Sequence, residues 1–167
     1  LVHAAIDAAA DLPDDTWVSL NVSGSLAVLP GVLTAALSAS NRPVVVEIIV
    51  EPDTMPADWQ AVRSGGARLA VDDSGVHDDE REVLGRLTPS FMKLDRSTVT
   101  GIEIDAQRQT YVGMLVAAAD EHGCEVIATG VETEGERRAL IDAGVRLGQG
   151  YLLGRPTSAG RARLARS

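Results

Sequence analysis

Aromatic side chains and cysteine are both scarce in this 167-residue sequence. Aromatics make up only 3% of it, so any core has to be built from Val, Leu, Ile and Ala. A single cysteine, Cys124, excludes an intrachain disulfide and fits a reducing compartment. No apolar run approaches the roughly 20 residues a membrane helix needs. The longest, Val44 to Val50, is interrupted by Glu47. Positive charge is also short. Against 24 Asp and Glu stand 15 Lys and Arg, for a formal charge of -9 and a pI near 4.7. Such a field disfavours nucleic acid and anionic membrane surfaces as partners. With nothing at the start that reads as a signal peptide, the expectation is a cytoplasmic protein without a membrane segment. The sequence does not begin with Met, which admits a trimmed or partial chain. Internal repeats and low-complexity segments are absent.

What is present is an alternation of two patterns. Six apolar segments read as strands: 17–21, 44–49, 67–71, 91–94, 125–128 and a short one around 148–152. Helical patterns occupy 2–10, 31–39, 57–63, 79–87, 104–121 and 134–143. In the longest, Val112, Leu115, Val116 and Ala119 share one side at three- and four-residue spacing. Thr133 with Glu136 forms a capping-box signature, and Gly123 and Gly144 stand where helices should stop. Ala-rich helices over Val/Ile-rich strands are what a parallel sheet covered by helices requires. The expected class is therefore α/β, doubly wound or barrel, with chemistry at the C-terminal strand ends. Residues 1–157 form the expected domain. The Arg- and Ala-rich segment 158–167 lacks a core pattern and reads as a tail.

Several strands carry polar residues at or near their ends that a packing role would not select. Asn21 closes the first, Glu47 lies inside the second, and Asp72-Asp73 end the third. Lys93 lies in the fourth ahead of Asp95-Arg96, and the last leads into Gln149-Gly150-Tyr151. Each has a bland reading. Asn21 suits a turn, an Asp pair after a strand suits a loop or helix cap, Gln149 suits ordinary hydrogen bonding, and Lys93 suits pairing with Glu47 or Asp72. A lone carboxylate in an apolar strand is nonetheless costly unless paired or metal-bound. One strand direction also delivers all of these residues to one end of the sheet. Asn21, Glu47 and Asp72 offer hard oxygen donors suited to Mg²⁺ or Mn²⁺, and Asp73 could reach a second ion. Two ions are a common device for in-line phosphodiester hydrolysis, with Lys93 orienting water or offsetting phosphate charge.

Six segments, in order, carry a resemblance. They are Val18-Ser19-Leu20-Asn21-Val22-Ser23, Val46-Glu47-Ile48, Leu69-Ala70-Val71-Asp72-Asp73-Ser74-Gly75, Met92-Lys93-Leu94-Asp95-Arg96-Ser97, Gly130-Val131-Glu132-Thr133 and residues 149–156. Together they resemble the motifs of the EAL-domain family, bacterial cyclic di-GMP phosphodiesterases. The resemblance implies a TIM-like (β/α) barrel and hydrolysis of cyclic di-GMP to the linear dinucleotide with two Mg²⁺ or Mn²⁺ ions. It implies Asn21, Glu47 and Asp72 as metal ligands, Asp73 as a ligand of the second ion, Lys93 as the catalytic lysine and Gln149 near the attacking water.

The departures from the family pattern carry equal weight. The opening Glu-Ala-Leu strand has no counterpart, so the expected barrel is incomplete. Thr129 stands where the family has a catalytic carboxylate, Val50 where a Glu holds the substrate loop, and Ser74 where a Phe follows the Asp pair. Glu51 and Glu132 are each offset by residues that turn a strand side chain to the other face. A missing second-shell partner alone commonly costs about 10- to 100-fold in metal affinity or activity. These departures imply a degenerate, non-catalytic domain that regulates through a protein partner or weak cyclic di-GMP binding, with Mg²⁺ or Mn²⁺ at a residual site. The alternative is an active phosphodiesterase completed by residues outside this chain. Six strands against the eight of a TIM barrel would leave an unpaired strand edge, for which a homodimer is the simplest cover.

Overall fold

A computed structural model provides the fold. It describes residues 6, 7, 9, 12, 16–22, 37, 40, 42–49, 63–72 and 80–157. Six strands are found among them: β1 (Val18–Val22), β2 (Val44–Ile49), β3 (Arg68–Asp72), β4 (Phe91–Leu94), β5 (Glu125–Thr129) and β6 (Leu147–Gln149). Four α-helices accompany them: α1 (Glu80–Leu87), α2 (Arg96–Val99), α3 (Ala106–Glu121) and α4 (Glu134–Asp142). A short 3₁₀ turn covers Ile102–Ile104. No helix among the described residues is long and apolar enough to cross a membrane.

The described residues fall into two compact units, with β3 beginning in the first and ending in the second. In the first, β1 and β2 pair in parallel, Asn21 opposite Glu47. The run Val44, Val45, Val46 and Ile48 is buried throughout, as the near-continuous apolar sequence of a parallel strand requires. In the second unit, β3, β4, β5 and β6 pair in parallel in chain order. Helices α3 and α4 cover one face of these strands. Met92, Leu94, Val126 and Ala128 turn toward them and join Val112, Leu115, Ala119 and Leu140 in one core.

The strand positions expected from the sequence hold to within one residue except at β6, which spans 147–149 rather than 148–152. Gly150 explains the early end. Its backbone lies so close to Val131 that a Cβ would stand 2.1 Å from the Val131 carbonyl oxygen, and the chain turns there instead of extending. The long helix begins at Ala106, not residue 104, because the Asp105 carboxylate accepts hydrogen bonds from the backbone N–H groups of Gln107 and Arg108. The one-turn helix α2 was not expected; Asp95, at the end of β4, caps it by accepting from the Ser97 N–H. Gly123 and Gly144 take left-handed backbone at φ 66° and 95°, as helix stops do. Of the first three expected helices, only Ile6, Asp7, Ala9, Leu37 and Arg63 are described, all helical, with Ala9 in a 3₁₀ turn. The remainder of those helices, and the tail 158–167, lie outside the described residues.

The capping box at α4 does more than the sequence suggests. Thr133 accepts from the Glu136 N–H, while the Glu136 carboxylate accepts from the N–H groups of Glu132 and Thr133, both at 2.9 Å. It also accepts from the Gly101 N–H at 3.3 Å, tying the turn after α2 to the loop after β5. Glu136 is only 4% exposed. Burial pushes its carboxyl upward, but the backbone donors of Glu132, Thr133 and Gly101 outweigh that and hold it below the usual carboxylate range. A lowered folded-state value makes this contribution fully present above the ordinary carboxylate range and lost as pH falls through the folded value. Glu136→Gln sets an amide N–H₂ against backbone N–H groups and is expected to cost about 1–3 kcal/mol. In urea unfolding across pH 3 to 7 the variant should lose stability near neutrality and converge toward wild type in acid. A variant equally stable at both ends would contradict this account.

Candidate functional site

Register decides which side chains share a face. Asp72 is the partner of Lys93, and Lys93 is the partner of Ile127, which in turn partners Leu147. Thr129 and Gln149, themselves partners, lie two residues beyond Ile127 and Leu147. Because strand side chains alternate with period two, Asp72, Lys93, Thr129 and Gln149 all emerge on one face. That face is opposite to the one packed under α3 and α4. Parallel pairing also places these residues at or near the C-terminal strand ends.

Lys93 is nearly buried, and its ammonium lies 3.7 Å from the Asp72 carboxylate. Asp72 is one of the two carboxylates open to it in the sequence. Thr129 is half-buried, and its hydroxyl donates to the Leu94 carbonyl at 2.6 Å. It is thereby bound to the neighbouring strand, whereas a carboxylate cannot donate in the same place. Gln149 is exposed at the end of β6, where its carbonyl accepts from the Val131 N–H at 3.0 Å. The loop after β5 is held firmly. Gly130 takes φ 77° with the Arg96 side chain lying over it, and Arg96 pairs with Glu132 at 2.8 Å.

In the first unit, Asn21 and Glu47 are register partners on one face. Asn21 is exposed, whereas Glu47 is only 8% exposed. The Ser19 hydroxyl, on the Asn21 face two residues earlier, donates to the Glu47 carboxylate. Sequence reading passed over Ser19. The period-two step back from Asn21, facing a buried carboxylate across the pair, was the signal that would have found it.

Asp73 lies outside the described residues, as do Val50, Glu51 and Ser74. Among the described residues no three His, Cys, Asp or Glu side chains gather as a metal site. The expected ligand set contains only two such residues there, Glu47 and Asp72, with Asn21 adding an amide. Within each unit the donors are hard oxygens, an amide and a buried carboxylate from Asn21 and Glu47 in the first and the Asp72 carboxylate in the second, the type a divalent cation of the Mg²⁺ or Mn²⁺ kind takes. Hydroxyl and ammonium neighbours partly satisfy the carboxylates meanwhile.

The family model described as "EAL domain" matches residues 1–156. A probable cyclic di-GMP phosphodiesterase of Escherichia coli, PdeD, is 29% identical over 116 residues, which is 68% of this chain and 22% of the relative. The cyclic di-GMP phosphodiesterase RocR of Pseudomonas aeruginosa is 33% identical over 109 residues, 65% of this chain and 28% of the relative. The chain thus spans less than a third of either protein. Among solved structures, the calcium and cyclic di-GMP complex of Klebsiella pneumoniae BlrP1 superposes with a TM-score of 0.84 at 29% identity. It covers 95% of this chain and 43% of that one. The α/β fold, incomplete against a whole barrel of this type, is the fold expected. The chain belongs to the EAL-domain family.

Proposed function

We propose that this chain is part of a metal-dependent cyclic di-GMP phosphodiesterase, hydrolysing the cyclic dinucleotide to its linear form once residues outside the chain complete the barrel. The observation that carries the reading is the buried or half-buried charge set on the strands. Glu47 is buried on β2, and Asp72 on β3 pairs with the nearly buried Lys93 on β4. Their burial has a cost that a purely structural strand would avoid by using Val or Leu. The relatives named above support the substrate class. Asn21, Glu47 and Asp72, with Asp73, are the residues that would hold Mg²⁺ or Mn²⁺, ions that supply Lewis-acid polarisation of a phosphodiester. Lys93 offsets negative charge developing on the phosphate oxygens, and Gln149 hydrogen-bonds near the attacking water.

One observation favours a second reading, in which the domain binds cyclic di-GMP or a protein partner without turnover. Thr129 replaces the family carboxylate and its hydroxyl is committed to Leu94. A homodimer and a cytoplasmic setting fit either reading. Calorimetric titration of cyclic di-GMP into the whole protein that contains this chain, with and without Mn²⁺, followed by a product assay on the same sample, separates the two. The phosphodiesterase reading expects metal-dependent binding and linear product at about 1 s⁻¹ or faster. Metal-dependent binding without product establishes the second reading, and absence of binding contradicts both as far as the nucleotide is concerned.

Lys93→Met keeps most of the buried volume while removing the charge. Turnover is expected to fall by about 100-fold or more. Because Asp72 is partly exposed, the stability loss should stay near 1–2 kcal/mol, between the usual values for exposed and buried pairs. Product formation by Lys93→Met at the wild-type rate would remove Lys93 from the mechanism.

A further inference from the structure

The polar face of the first unit carries a serine below its asparagine. In the pairing of β1 with β2, Asn21 is the partner of Glu47 and Ser19 the partner of Val45. Period-two alternation puts Ser19, Asn21 and Glu47 on one face, while Leu20 and Val22 are buried on the other side of β1. Ser19 is thus a diagonal neighbour of Glu47, and its hydroxyl donates to the Glu47 carboxylate. Ser19 also lies nearer the N-terminal end of β1 than Asn21. The bond therefore holds one carboxylate oxygen on the side away from the C-terminal strand ends.

Exposure shows which partner the bond serves. Ser19 is exposed, so water alone could satisfy its hydroxyl, whereas Glu47 is buried. Strand formation at position 19 would be met as well by Val, Ile or Thr. A carboxylate accepts at two oxygens, and one hydroxyl proton takes up only part of that capacity. What the bond restricts is rotation. Glu47 is one methylene longer than an aspartate, so its carboxylate has a further torsion to fix before it can act as a ligand. Carboxylates that ligate metals are themselves hydrogen-bonded, and loss of such a partner commonly costs about 10- to 100-fold in metal affinity.

We propose that Ser19 is a positioning residue for cation binding, its hydroxyl orienting the Glu47 carboxylate toward Mg²⁺ or Mn²⁺. The assignment rests on the reading above, in which Glu47 holds the ion, and Ser19 acts through Glu47. A hydroxyl that only satisfied a buried acceptor would compete with the cation for Glu47, and its removal would leave metal binding unchanged or tighter. The two roles differ in sign.

The test is Mn²⁺ binding, without nucleotide, by the whole protein that contains this chain, followed by electron paramagnetic resonance and calorimetry. The variants are Ser19→Ala, Ser19→Val and Ser19→Thr, with Glu47→Gln as the reference for loss of the ligand itself. Ser19→Ala and Ser19→Val are expected to weaken Mn²⁺ binding by about 10- to 100-fold, and Ser19→Thr to stay within about 3-fold of wild type. Thr and Val share a shape, so the difference between them isolates the hydroxyl. Wild-type or tighter affinity in Ser19→Ala, with Glu47→Gln weakened, overturns the positioning role and leaves Glu47 as a ligand. Equal losses in Ser19→Thr and Ser19→Val overturn the part given to the hydroxyl. Wild-type affinity in Glu47→Gln, or a wild-type protein that does not bind Mn²⁺, overturns the metal site and the assignment with it.

Discussion

A parallel strand covered by helices on one side has only its other side for charge, and the period-two alternation of the backbone enforces the choice. In β4, Met92 and Leu94 go under the helices while Lys93 goes the other way, toward Asp72. The same constraint carries Thr129 and Gln149 to the face of Lys93, and in the first unit it matches Asn21 with Glu47. A one-residue slip of β4 would bury the Lys93 charge among Val112, Leu115 and Leu140 and turn Leu94 outward in its place. Hydrophobic burial thus sets the register, and the register assembles the polar face.

The loops behind the strand ends are fixed by a different means. The Glu136 carboxylate gathers three backbone N–H groups from two segments, and Arg96 spans from Gly130 to Glu132. Gly150 admits the backbone of the next turn against Val131. These contacts are polar or steric, and they act where the chain has left the hydrophobic layer. They hold Thr129 and Gln149 in place at strand ends that would otherwise fray.

The strands and the polar face were legible because Glu47 and Lys93 interrupt apolar runs, and such interruptions are costly enough to be informative. The capping box at Thr133 and the stops at Gly123 and Gly144 were legible because their signals are local. Other features were not. Helix α2 is a single turn, too short for a periodic pattern, and its capping Asp95 read as a strand-end residue. The reach of Glu136 to Gly101 spans 35 positions and leaves no mark on local sequence. The early end of β6 comes from a backbone contact at Gly150 with Val131, again remote in sequence. Membership of the EAL family was legible from six ordered motifs, whereas turnover was not: Thr129 argues against it and the named relatives argue for it.

In the proposed function cyclic di-GMP is bound on the polar strand face and not on the face beneath the helices. Amide-resolved NMR of the full chain, titrated with cyclic di-GMP in Ca²⁺, tests it directly. Shifts are expected at Asp72, Lys93, Thr129 and Gln149, with the amides of Val112, Leu115 and Ala119 in α3 unmoved. Shifts centred on α3 or in the groove lined by Leu140, Ile141 and Leu153, with the strand ends silent, would contradict it.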